Sequence, residues 1–285
     1  MNLENDLSGQ VCMVTGATSG IGEVTALELA RMGAEVVVVS RNPAKCQRTV
    51  ETIRKETGNE RVDYLVADLS SQEEIRDLVE RFQAKYDRLD VLVNNAGAFF
   101  WERKESPEGI EMTFALNHLN YFLLPNLLLD TLRESAPARI INVSSGAHRG
   151  QKLDLEDLEL KGNFQPMTAY GRSKLANLYF TYELDRRLDD EQVTVNALHP
   201  GFVSTNFARE GNSLLRFIMP VMQLFARSPQ EGARTPVYVA SSPEVEGVSG
   251  NYYKDEEPVR SSSVSYDRET ARRLWEISAE MTGID

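Results

Sequence analysis

Tyr170 and Lys174 stand four residues apart, a spacing that puts both side chains on one face of a helix. A fixed ammonium beside a phenol favours the phenolate, so a group that ordinarily releases its proton near pH 10 becomes a usable donor and acceptor. Ser145, upstream, offers a hydroxyl that can polarise a carbonyl. Joined to a nicotinamide carrying hydride, these groups would interconvert a carbonyl and an alcohol. Ten tyrosines make one Tyr-x-x-x-Lys pair easy to reach by chance, so the elements around it decide its meaning.

Those elements alternate. Short β-branched runs predict strands over 11–15, 34–40, 62–67, 91–94, 138–144, 192–198 and 250–253. Between them, periodic stretches predict helices over 22–32, 42–57, 72–86, a long one over 107–135 kinked by Pro125, the Tyr170 helix running to about 188, and one over 230–240. Such alternation means an α/β fold: one domain spanning 1–285, with a doubly wound parallel sheet and helices on both faces. Two segments break the rhythm, a polar excursion over 146–167 and an insertion over 205–229. The insertion carries the apolar run 214–225, read as a substrate lid, with an interface or core helix and a membrane-surface patch as the other readings.

Composition narrows the partners. A net charge of −12 disfavours nucleic acid, which needs a concentrated positive surface, and it disfavours anionic lipid. Cys12 and Cys46 have no paired spacing and read as reduced thiols. His118, His148 and His199 are scattered without ligand spacing, so no metal site is expected, and His118 and His199 are read as structural. The opening residues show no signal peptide, and no apolar stretch reaches the roughly 20 residues of a bilayer span. No transmembrane anchor is expected, and the expected compartment is the cytoplasm.

At the nucleotide end, Thr15-Gly-Ala-Thr-Ser-Gly-Ile-Gly22 lies between the first strand and helix. Gly16, Gly20 and Gly22 allow a sharp turn that brings backbone N–H groups to a pyrophosphate, and Thr15, Thr18, Ser19 and Ile21 belong to the same cradle. An NAD site would place a carboxylate near the end of the second strand, but Ser40-Arg41 stands there. An arginine pairs with a 2′-phosphate, so NADP(H) is expected over NAD(H); a merely solvated arginine is the alternative. Asp68, with Leu69, is placed to meet the adenine, or else to cap the helix starting near Ser71. In Asn94-Asn-Ala-Gly97, Asn94, Ala96 and Gly97 let the backbone pass close to the cofactor while asparagine amides tie neighbouring strands. Pro200 and Gly201, with Val203 and Thr205 beyond them, would meet the nicotinamide.

With these motifs and Asn117-His118-Leu119, Val143-Ser-Ser145 and His199-Pro200-Gly201, the chain resembles the classical short-chain dehydrogenase/reductase family, a Rossmann fold. Ser-Lys174-Leu-Ala-Asn177, the long gap between Ser145 and Tyr170, and the stretch from Leu274 to Met281 resemble its retinol dehydrogenase branch. The resemblance implies Asn117, Ser145, Tyr170 and Lys174 as the catalytic set, with Ser144 the runner-up serine. It implies that Lys174 holds the ribose hydroxyls and that Asn117 holds a water linking Lys174 to solvent. It also implies a small lipophilic carbonyl or alcohol as substrate and a homodimer or homotetramer. The alternative from another class is a nucleotide-sensing regulator on the same fold, binding NADP(H) without turnover.

Overall fold

The computed structural model describes residues 5–188, 192–201 and 227–284. Its strands are β1 Val11–Thr15, β2 Glu35–Ser40, β3 Val62–Val66, β4 Val91–Asn94, β5 Ala138–Val143, β6 Val193–His199, β7 Tyr252–Lys254 and β8 Glu257–Pro258. The helices are α1 Gly20–Arg31, α2 Pro43–Thr57, α3 Gln72–Gln83, α4 Met112–Phe114, α5 Asn120–Leu127, α6 Leu129–Glu134, α7 Pro166–Arg187, α8 Pro229–Ser241 and α9 Arg268–Thr282.

Sheet order is β3-β2-β1-β4-β5-β6-β7-β8, parallel throughout except for the β7–β8 pair. Successive strand residues face opposite sides. Val11 and Met13 of β1 therefore join a core with Phe82, Phe122 and Phe180. Cys12 and Val14 join the other core, with Leu29, Ile53 and Val237. Helices cover both faces, which is why the strands read as continuous apolar runs rather than alternating ones. The chain reverses its winding between β1 and β4, and a ligand crevice opens beyond the carboxyl ends of strands at such a switch point. The glycine turn, Ser40-Arg41, Asp68, Asn94–Gly97, Ser145 and Pro200-Gly201 each fall at or just past one of those ends.

The predicted long helix over 107–135 is instead three short helices joined by a π-helical turn at Ala115–Leu119. It starts later because Glu111 caps it, accepting from Thr113 N at 2.7 Å and Phe114 N at 2.8 Å. Upstream, Gly109 at φ +78° belongs to a turn closed by its N–H on Ser106 O. The break after Pro125 falls at Leu128, between α5 and α6.

Two elements lie beyond the predicted ones, the short β8 and the helix α9. Through Trp275, α9 covers α5 and α7: the indole stacks on Phe180 at 5.7 Å and meets Phe122 edge-on at 4.8 Å. The Arg187 guanidinium lies 4.3 Å from the same ring, so the wedge is held by dispersion and by a cation–π contact. Trp275→Ala is expected to destabilise the fold by about 2–3 kcal/mol, less than for a fully buried tryptophan because this ring is only partly buried. Urea denaturation measures it, and a change below about 0.5 kcal/mol would show that α9 contributes little.

Candidate active site

The glycine turn is shaped first by the protein itself. Gly16 has φ +64°, and a Cβ there would lie 2.8 Å from Ala96 Cα. A Cβ on Gly22 would lie 2.6 Å from Gly16 O. Both glycines are therefore required by the close approach of β1's turn to the loop after β4, whatever ligand sits above. Ser19 begins α1 without a side-chain cap bond, so the N–H groups of the first turn face outward at the positive end of the helix dipole. A phosphate fits this end.

Several predicted cradle residues turn inward. The Thr15 hydroxyl accepts from Asn95 N at 2.9 Å and Ala96 N at 3.0 Å and donates to Val93 O, bracing β1 against β4. Asn94 is fully buried and donates to Asn142 Oδ1 at 2.9 Å, while Asn95 donates to Thr15 O at 2.8 Å. These are the expected strand ties: they occupy the Thr15 hydroxyl and the Asn94 amide nitrogen, and among the described residues Asn94 Oδ1 has no partner. Leu69 packs its side chain into the core, leaving only its backbone for adenine. Asp68 is not the helix cap: Ser71 caps α3 by accepting from Glu74 N at 3.3 Å. The Asp68 carboxylate instead accepts from Ser70 N at 3.0 Å and Ser70 Oγ at 2.7 Å, because the chain turns once more before the helix begins.

Arg41 is exposed just past β2. The neighbouring Ser40 Oγ is 3.0 Å from Thr18 Oγ1, joining the end of β2 to the glycine turn. Pro200 is buried and Gly201, at φ +87°, lies under the Arg227 side chain, whose guanidinium pairs with Asp255. Val203, Thr205 and the apolar run 214–225 lie outside the described residues, as does the proposed lid apart from 227–229.

Beyond β5, on α7 and in the π turn, the four predicted catalytic residues come together. The Ser145 hydroxyl lies near enough to the Tyr170 phenol to favour its ionised form. Ser144 points elsewhere, its hydroxyl donating to Lys174 O at 2.8 Å, which separates the two serines the sequence left open. Lys174 Nζ is buried, donates to Val143 O at 2.9 Å and sits 5.8 Å from the Tyr170 ring centre. Asn117, in the π turn, clasps Ala98 with both ends of its amide, accepting from N and donating to O at 2.8 Å each. It also donates to Ser173 Oγ at 3.2 Å. A Cβ on Gly97 would lie 3.1 Å from Asn117 Oδ1 and 3.4 Å from Lys174 Nζ, so the smallest residue keeps these groups accessible.

The electrostatics differ from the expected pairing. Burial pushes the Tyr170 phenol up to about 12, opposed by the nearby Ser145 hydroxyl. Burial takes the Lys174 ammonium down to about 7. The lysine does not hold the phenol low here, because desolvation acts on both groups and Nζ is turned to Val143 O and to the Tyr121 ring face, 5.1 Å away.

Sequence reasoning missed the aromatic wall beside Tyr170. Phe99 lies 5.8 Å from the Tyr170 ring and 4.7 Å from Trp101, whose indole nitrogen is buried without a partner among the described residues. Three aromatic residues in a row at 99–101, directly after Asn-Asn-Ala-Gly97, were the signal.

The short chain dehydrogenase family model matches residues 10–214. The chain belongs to this family. As a short-chain dehydrogenase it is an oxidoreductase acting on CH–OH groups with a nicotinamide cofactor. It is 40% identical over 282 residues to human polyprenol dehydrogenase, covering 96% of this chain and 86% of that one. It is 42% identical to retinol dehydrogenase 13 of Mus musculus, covering 98% and 85%. Among solved structures, the NADP active-site complex of RhlG from Pseudomonas aeruginosa superposes with a TM-score of 0.70 at 29% identity, over 88% of this chain and 96% of that one. This short-chain dehydrogenase has no helix, among its described residues, long and apolar enough to cross a membrane.

Proposed function

We propose that the protein is an NADP(H)-dependent oxidoreductase that interconverts a lipophilic aldehyde or ketone with its alcohol in the cytoplasm. The observation that carries the cofactor reading is Arg41: exposed, beside the glycine turn, and without a hydrogen bond or ion pair among the described residues. A 2′-phosphate gives that guanidinium a partner; a ribose hydroxyl does not need it. Phe99 and Trp101 supply an apolar wall next to Tyr170, and retinol and polyprenol, the alcohols in the relatives' names, are long apolar molecules. Buried free thiols at Cys12 and Cys46 agree with a reducing compartment.

When bound, the nicotinamide supplies or accepts the hydride at the substrate carbon. The chain's own residues do the rest. Ser145 Oγ accepts from Ala147 N at 3.2 Å, which leaves its proton to donate to the substrate oxygen. Tyr170 bonds the same oxygen and gives it a proton during reduction, taking one back during oxidation. Lys174 holds the ribose hydroxyls. Asn117 Oδ1 keeps a lone pair beyond its bond to Ala98 N and holds the water that resupplies protons to Lys174.

The test is turnover with NADPH and NADH over short aliphatic, aromatic and isoprenoid aldehydes, for the wild type and Arg41→Asp. The wild type should prefer NADPH and the long apolar aldehydes. Arg41→Asp should raise the KM for NADPH about 10- to 100-fold and leave that for NADH nearly unchanged. An unaltered NADPH-to-NADH ratio would sink the cofactor reading, and preference for short polar carbonyls the substrate reading.

A further inference from the structure

We propose that His148 and His199 are positioning residues that clamp one peptide group, Ser145–Gly146, and thereby aim the Ser145 hydroxyl. The inference rests on the role given to Ser145 above.

Ser145 leaves β5 in extended geometry, φ −156° and ψ 153°, and opens the single 3₁₀ turn Gly146–His148. A serine at the mouth of a loop has little of its own to fix it. Here the peptide that follows it is gripped on both sides. His148 Nδ1 lies 2.6 Å from Ser145 O, and a carbonyl only accepts, so this nitrogen carries the proton. Its Nε2 accepts from Ser262 N at 3.1 Å. On the opposite edge, Gly146 N donates to His199 Nδ1 at 3.1 Å, which leaves the His199 proton on Nε2. The two imidazoles hold opposite tautomers, and between them they take both the acceptor and the donor of one amide plane. That plane sets ψ of Ser145, and with it the direction of the Cα–Cβ bond toward Tyr170.

Each ring is itself anchored. His148 is fully buried and meets Tyr252 edge-on at 5.3 Å. His199 ends β6, paired in register with Lys254 of β7. Its ring lies against Gly146, where a Cβ would come 3.2 Å from Nε2, so the absent side chain lets the imidazole close on the peptide. Burial lowers the pKa of both histidines, His199 to about 4, which keeps the accepting nitrogens unprotonated at neutral pH. Core histidines that merely fill space would not need to converge on the two ends of one peptide bond adjoining the serine.

The experiment is steady-state turnover of an isoprenoid aldehyde with NADPH by His199→Leu, His199→Asn, Ser145→Ala and the double variant Ser145→Ala/His199→Leu, with NADPH binding measured by fluorescence. His199→Leu should lose about 10- to 100-fold in kcat, the scale of a misplaced catalytic group, with NADPH affinity within twofold of wild type. Asparagine places its amide oxygen near the Nδ1 position and should restore kcat to within about threefold. In the Ser145→Ala background, His199→Leu should cost nothing further, because a residue acting through Ser145 has nothing left to position. Equal losses for Asn and Leu, or a full extra loss in the double variant, would overturn the clamp. If His199→Leu fails to bind NADPH, the comparison runs between Asn and Gln, whose amide oxygen lies one methylene too far; equal rates for those two overturn it as well. Unchanged turnover in Ser145→Ala alone would instead refute the role of Ser145.

Discussion

Tyr170→Phe should lower kcat/KM by about 10²- to 10⁴-fold in both directions while leaving NADPH binding unchanged, because the substitution removes the proton donor and little else. The ring survives, and with it the packing against Phe99 at 5.8 Å. What goes is the hydroxyl that lies near Ser145. With the phenol at about 12, Tyr170 is protonated throughout the neutral range. Reduction, which consumes that proton, should therefore run level from about pH 6 to 9, whereas oxidation, which needs the phenolate, should climb about tenfold per pH unit. Turnover within threefold of wild type in Tyr170→Phe would refute the mechanism. An oxidation rate flat with pH would show the phenol titrating much lower in the working complex.

Lys174→Met should abolish most activity, about 10²-fold or more, yet make the protein more stable at neutral pH. The sign follows from the proton balance. Lys174 titrates near 7 in the fold, against an ordinary value of 10.5. Between those values the unfolded chain binds this proton and the folded chain does not, so stability rises with pH across that window. Below about 7 the folded protein carries a buried ammonium whose one side-chain hydrogen bond among the described residues is to Val143 O, and its cost is fully present. Methionine fills similar volume without the charge. A gain of about 1 kcal/mol, roughly 3 °C in Tm at pH 6.5, is expected, shrinking toward pH 10. A lower Tm for the variant at pH 6.5 would mean that the ammonium stabilises the fold and that its surroundings favour the charge.

The first six strands were legible because valines and isoleucines crowd them, and the motif at each strand end could be placed once the alternation was seen. The pairing of Tyr170 with Lys174 was legible from helical spacing alone. Direction was not. Nothing in the order of residues says that the Thr15 hydroxyl braces the loop after β4, that Leu69 turns into the core, or that Ser144 rather than Ser145 spends its hydroxyl on α7. The π turn was hidden for a similar reason, since Asn117 gains its bonds to Ala98 from a loop almost twenty residues away. The phenol's pKa depends on a contest between burial and a nearby charge, and burial is a property of the whole packing. Helix α9 was overlooked because its apolar stripe is narrow and its other positions are charged.

Trp275 also sets a schedule. Synthesis runs from the amino end, so Phe122 and Phe180 leave the ribosome well before the indole that covers them exists. Until α9 is translated, a nascent molecule displays two phenylalanines on an uncovered helix pair, the kind of sticky intermediate that chaperones attend to. This corner of the core is thus closed by a segment made after the helices it covers.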